Sequence, residues 1–177
     1  HEIDYQKKHQ HQEQLNKETF DAIIPVIENG LLSELLFPQQ FHQNLSLYTS
    51  LLDIHDPYGW IMALKFSQIT DHGTMCNPIG SIVQLEGQIS YFRKIIKAFF
   101  PTAIIGPVLA NRIFIMIPCN SMPLSISEET FRQKRAQDME TQLHRKLNLR
   151  FKIGLGEPQP LMNLVQSMKE AHEEVEQ

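Results

Sequence analysis

Between residues 20 and 36 the apolar positions are Phe20, Ile23, Ile24, Val26, Ile27, Leu31, Leu32, Leu35 and Leu36, a density that suits a helix with a face to bury. Pro25 and Gly30 are expected to interrupt that helix, and Phe37-Pro38 to end it. Upstream, residues 1–17 are polar and rich in Gln, with Ile3 and Leu15 as the few aliphatic side chains. A helix with so little apolar surface is marginal by itself. A second helix is predicted over residues 39–53, where Phe41, Leu45, Tyr48, Leu51 and Leu52 fall on one side.

The pattern then changes period. Asp56-Pro57-Tyr58-Gly59 reads as a turn, and Trp60-Ile61-Met62-Ala63-Leu64-Lys65-Phe66 as the first strand. Residues 71–81, with two Gly and one Pro, read as a loop. Leu85, Ile89, Phe92, Ile96 and Phe99 alternate spacings of four and three, which predicts one helix closed by Pro101. Two β-rich runs follow, residues 102–108 and 112–118, and only Leu109-Ala110-Asn111 separates them, as in a hairpin. Ser125 and Glu128 have capping-box spacing at the start of a helix whose apolar stripe is Ala136, Met139, Leu143 and Leu147. Residues 149–155 form a last strand, and Leu161, Leu164, Val165 and Met168 mark a last amphipathic helix. The order strand, helix, strand, strand, helix, strand, helix predicts an α+β sandwich of the ferredoxin-like kind with a mixed central sheet, preceded by an N-terminal helical extension.

Composition narrows the function classes. The 177 residues carry a net charge of −4, and the densest basic patch, Arg132 to Arg135, lies beside Glu128 and Glu129 on a predicted helix. That balance speaks against direct nucleic-acid binding by this segment, which needs clustered Lys and Arg, and the patch reads as a solvated helix face. No apolar run approaches the roughly 20 residues of a membrane span. Two cysteines, Cys76 and Cys119, fit a reducing, cytoplasmic setting. An opening on His1 within a polar segment suggests a fragment of a larger protein.

The hairpin and the ending Arg150-Phe151-Lys152-Ile153-Gly154-Leu155-Gly156 with Ser167-Met168-Lys169-Glu170-Ala171 resemble a degenerate GGDEF domain, of the kind found in bacterial AraC-type two-component response regulators. The resemblance spans most of residues 58–174. Active members carry Asp-x-Asp-x-Phe-Lys-x-Ile-Asn-Asp from the first strand onward, where this chain has Met62-Ala63-Leu64-Lys65-Phe66-Ser67-Gln68-Ile69-Thr70-Asp71. Phe66, Ile69 and Asp71 keep the pattern, whereas Met62 and Leu64 replace the two Asp and Thr70 replaces the nucleotide-contacting Asn. Ser81 stands where a guanine-contacting Asp is expected. At the hairpin, Leu109-Ala110-Asn111-Arg112-Ile113 replaces Gly-Gly-Asp-Glu-Phe. Phosphoryl transfer needs hard oxygen ligands for Mg²⁺, and no Asp or Glu lies between Trp60 and Thr70 or between residues 102 and 118. The resemblance therefore implies no enzyme activity, no metal and no cofactor.

The histidines add no motif. His9 and His11 are two apart and do not share a helix face, and His72 with Cys76 lacks the rest of a zinc ligand set. Lone His55, His144 and His172 stand in no recognisable constellation. Gly154-x-Gly156 precedes Glu157-Pro158 rather than a helix, so it reads as a strand end with a tight turn, not as a dinucleotide fingerprint.

The expected organisation is a helical linker and dimerisation segment over residues 1–56 and a degenerate GGDEF-like α+β domain over residues 57–177. What the resemblance implies is a non-catalytic module transmitting a signal between a receiver and a helix-turn-helix DNA-binding domain in the parent chain. The first helix would pair with its copy in a homodimer. Leu31, Leu32, Leu35 and Leu36 are the expected dimer contacts, with packing onto their own domain as the alternative. The competing expectation is a small-molecule sensor in which the degenerate cleft, with Asp71, Ser81, Asn111 and Arg112, binds a nucleotide or metabolite.

Overall fold

Six consecutive residues of the first strand, Gly59 to Leu64, are buried, which a strand achieves only when both faces of its sheet are covered. The computed structural model, which describes residues 2–69 and 78–177, shows how. In chain order the elements are α1 (Glu2–Glu34), α2 (Pro38–Leu51), β1 (Tyr58–Gln68), α3 (Pro78–Glu86), α4 (Ile89–Phe99), β2 (Ile104–Leu109) and β3 (Arg112–Cys119). They continue with α5 (Ile126–Leu147), β4 (Leu149–Leu155), β5 (Gln159–Pro160), a 3-10 turn (Leu161–Asn163) and α6 (Leu164–Glu176). The α+β class is as expected.

The sheet runs β2-β3-β1-β4, with the short β5 added to β1. Every described pairing is antiparallel, which corrects the expectation of a mixed sheet. The reason lies in the crossovers. The α3–α4 connection carries the chain from β1 past the position of β3 to β2, and α5 carries it from β3 past β1 to β4. Strands joined by a crossover are therefore never neighbours, and each gap is filled by a strand of opposite direction.

Alternate side chains of β1 feed two cores. Trp60, Met62, Leu64 and Phe66 join Phe92, Ile95 and Ile96 of α4 and Met139, Leu143 and Leu147 of α5. Ile61 and Ala63 join Leu31, Leu32, Phe41 and Leu45 from the α1–α2 side and Leu164, Ala171 and Val175 of α6. Burial of each large side chain contributes roughly 1.5–3 kcal/mol. This explains why α1 continues through Pro25 and Gly30 instead of breaking there: its C-terminal turns are clamped to the sheet by Glu28, Leu31 and Leu32. Leu31, Leu32 and Leu35 are thus core residues of their own chain, the alternative that the sequence left open, and only Leu36 of the four is exposed.

Local rules account for several boundaries. Ser125 accepts from the Glu128 amide and Glu128 reaches back to the Ser125 amide, so α5 opens on a complete capping box. It closes on Asn148 in the left-handed conformation. The helix predicted over residues 85–99 is two, because α3 ends at Glu86 and α4 begins at Ile89. Ser81, expected in a loop, lies buried in α3.

Gly154 and Gly156 serve close approach rather than a turn. A Cβ on Gly154 would stand 2.2 Å from the Ala171 carbonyl oxygen, and one on Gly156 2.1 Å from that of Ser167. Only glycine lets α6 lie this near the sheet. The approach puts the buried Ser167 hydroxyl 2.9 Å from the Ile61 amide, which it accepts.

Both ends of the sheet are closed by buried charge. At β2, Glu28 Oε2 accepts from the Ile105 amide at 2.9 Å, while Glu28 Oε1 meets Arg93 Nη2 at 2.5 Å and Lys97 Nζ at 3.3 Å. Beyond β4, Arg132 Nη1 donates to the Gly156 carbonyl at 2.7 Å and Nη2 to Glu129 Oε1 at 2.8 Å. The same guanidinium lies over the Trp60 ring, 4.6 Å from its centroid.

Candidate functional site

The tip of the β2–β3 hairpin is a two-residue link, Ala110-Asn111, with Ala110 at φ 56°. Its backbone is tied to β1 by the Phe66 amide, which donates to the Asn111 carbonyl at 3.0 Å. Arg112 pairs with Lys65 across the β1–β3 ladder, and both side chains turn toward the end of α6. There Arg112 Nη2 donates to Glu176 Oε1, and Lys65 Nζ stands 3.6 Å from Glu176 Oε2. Arg112 Nη1 also donates to Asn111 Oδ1 at 3.3 Å. The Arg112 hydrogen bond, aided by the charges of Arg112, Lys65 and His172, holds the Glu176 carboxyl below its ordinary range against the upward push of burial.

The expected site residues are only partly brought together. Asn111 and Arg112 adjoin at the hairpin. Ser81 belongs to α3, whose Leu85 and Ile82 pack into the first core, whereas Arg112 is engaged with α6 on the opposite face of the sheet. Asp71 lies outside the described residues, as do Thr70, His72 and Cys76. Met62, which stands at the metal-binding Asp position of the resemblance, and Leu64, at its second Asp, are buried among α4 and α5 side chains. Among the described residues no group of three or more His, Cys, Asp and Glu is arranged to hold a metal ion, and no helix is long and apolar enough to cross a membrane.

A pocket of about 270 Å³ opens beside Arg112, between the hairpin, Leu36 in the α1–α2 link and α6. Leu36, Leu109, Phe114 and Met168 line it together with Arg112, Lys169 and His172, and its exposed walls are almost wholly apolar. The His172 ring is tilted against Phe114, with centroids 6.2 Å apart. Two buried nitrogens here, Arg112 Nε and His172 Nδ1, have no hydrogen-bond partner among the described residues. Sequence reasoning singled out Arg112 but not Glu176, Lys169 or His172, which lie about 60 residues downstream with no spacing that connects them to the hairpin.

Elsewhere Cys119 is a half-buried free thiol, and burial is the main cause that pushes its pKa up, away from the reactive thiolate. Compared with known proteins, the chain matches no protein-family model and no curated protein.

Proposed function

We propose that this chain is a non-catalytic regulatory module of a bacterial response-regulator transcription factor, coupling a helix-mediated homodimer to a receiver and a DNA-binding domain elsewhere in the parent chain. The observation that carries the reading is α1. Its 33 residues extend about 50 Å, and residues 2–23 are exposed. Leu15, Thr19, Ala22 and Val26 follow a four-three-four spacing along a stripe facing away from the buried Leu31 and Leu35. A polar helix of this length gains little stability alone, and a second copy related by a two-fold axis would cover the same stripe on both partners. The C-terminal turns of α1 are locked to the sheet, so a change in how two such helices pair would be passed into the α+β body.

The non-catalytic part of the reading is supported by the apolar occupancy of the first strand. A nucleotide cyclase needs carboxylates to hold its metals, and Met62 and Leu64 are packed core instead.

Sedimentation velocity of the whole chain tests the proposal. A dimer is expected at about 100 µM, and a monomer for the variant carrying Leu15→Asp and Val26→Asp. The two positions are exposed, so the variant keeps its core. A monomeric parent chain at that concentration would overturn the dimer. Formation of cyclic di-GMP from GTP and Mg²⁺ would overturn the absence of catalysis.

A further inference from the structure

The exposed stripe of α1 reaches beyond its central part. From Leu15, Thr19, Ala22 and Val26 the same spacing of three and four runs back through Gln12 and Lys8 to Tyr5. Forward, it runs through Asn29 and Ser33 to Leu36, just past the helix end. Tyr5 is 72% exposed, and its ring lies against His9 of its own helix. Leu36 is 48% exposed and is also a wall of the 270 Å³ pocket, with Leu109, Phe114 and Met168. The stripe therefore begins at an exposed aromatic ring and ends at an apolar hollow.

The order of residues along the stripe decides how two copies pair. With the helices antiparallel and Leu15 against the partner's Val26, Thr19 meets Ala22, Gln12 meets Asn29, Lys8 meets Ser33 and Tyr5 meets Leu36. Leu faces Val and Tyr faces Leu, while the polar Gln12 and Lys8 face the polar Asn29 and Ser33. With the helices parallel, each residue would meet its own copy, and Lys8 would face Lys8 inside the seam, where a cation costs stability.

We infer that two copies pair their α1 helices antiparallel and that each seats its Tyr5 in the apolar pocket of the other. The inference rests on the α1 dimer proposed above, and adds the direction of the helices and the groups that the partner's first turn touches. The pocket lies near the lower end of small-ligand sites in volume, which suits a single aromatic side chain, and its exposed walls are almost wholly apolar. A Tyr ring supplies apolar contact there while its hydroxyl stays at the wet rim. The charges agree, because Glu2 and Asp4 share the first turn with Tyr5, and the exposed Lys169 stands beside the pocket. Under two-fold symmetry each of these contacts is made twice. The seated ring would touch the α1–α2 link, the hairpin and α6 together, so a change in helix pairing reaches the α+β body at a second point.

The test uses the whole chain with Cys76→Ser and Cys119→Ser, which leaves introduced cysteines as the only thiols. Under mild oxidation an equimolar mixture of Leu15→Cys and Val26→Cys chains should form the mixed disulfide dimer. Leu15→Cys alone should not cross-link, since the two copies of residue 15 would lie about 16 Å apart along the axis. Tyr5→Ala and Leu36→Ala should each raise the dimer Kd by about tenfold or more in sedimentation, and the double variant should lose little beyond either one, as residues sharing one contact do. All four positions are exposed, so the variants keep their core. Cross-linking of Leu15→Cys with itself would overturn the antiparallel pairing and leave the α1 dimer standing. An unchanged Kd for Tyr5→Ala, or fully additive losses, would overturn the seating of Tyr5. A monomeric parent chain would overturn the dimer itself and this inference with it.

Discussion

At the β2 edge a buried carboxylate, Glu28, accepts the free amide of Ile105, whereas beyond β4 a buried guanidinium, Arg132, donates to the free carbonyl of Gly156. The signs are opposite and so are the surroundings. Glu28 is almost wholly enclosed, and its cations come from α4, some 65 residues away in sequence. Arg132 is as deeply enclosed, but its counterion Glu129 stands one turn earlier on the same helix and is 30% exposed. Glu157, its more distant partner at 3.9 Å, is 62% exposed. One edge is therefore sealed by a long-range clasp, and the other by a local pair that water partly reaches. The rest of the β4 edge carries the exposed Arg150 and Lys152, the kind of charged guard that discourages pairing with another chain.

If that contrast is right, Glu28→Ala should be the most damaging change. It leaves Arg93, Lys97 and the Ile105 amide without their shared acceptor, and breaking a buried ion pair in this way costs about 3–5 kcal/mol. Urea unfolding should show a lower midpoint with an unchanged slope. A loss below about 1 kcal/mol would mean that the Glu28 clasp does not hold the β2 edge.

Arg132→Met should come second, at about 1–3 kcal/mol in the same assay. It gives up the Gly156 hydrogen bond and the contact over Trp60, but Glu129 can rehydrate. A cost exceeding that of Glu28→Ala would reverse the ranking.

The smallest effect is expected in acid. Burial pushes the Glu129 carboxyl up, but hydrogen bonds from Arg132 and Gln133 and the Arg132 charge outweigh it, so its pKa is lower in the fold than the ordinary 4.5. A group depressed in this way stabilises the protein above its unfolded pKa, and that stabilisation disappears as pH falls through the folded value. The difference in melting temperature between the parent chain and Glu129→Gln should therefore be present at pH 7 and shrink as the pH is lowered below the ordinary 4.5. A gap that widens in acid would contradict the pairing with Arg132.

Elements with strong local signals were legible from residues alone. The strand expected over residues 149–155 is β4, the hairpin lies where two β-rich runs meet, and the Ser125–Glu128 box opens α5. Continuity of α1 through Pro25 was not legible, because the contacts that sustain it come from β2, β3 and α2. Gly154 and Gly156 were read as turn formers, since nothing near them in sequence shows that α6 passes within contact distance. Of the candidate site, Arg112 was visible as a departure from a family pattern. Its partner Glu176 and its neighbour His172 were not, because they are distant in sequence.

The sequence by itself determined the α+β class, most element positions and the lack of carboxylates along β1 and the hairpin, because periodicity, capping and composition act over a few residues. Only the tertiary structure decided strand direction, which side of the sheet each helix covers, and how Glu28, Arg132, Ser167 and Arg112 find their partners. A polar group removed from water must be satisfied by whatever the topology brings beside it, and that choice depends on the whole chain rather than on its neighbours in sequence.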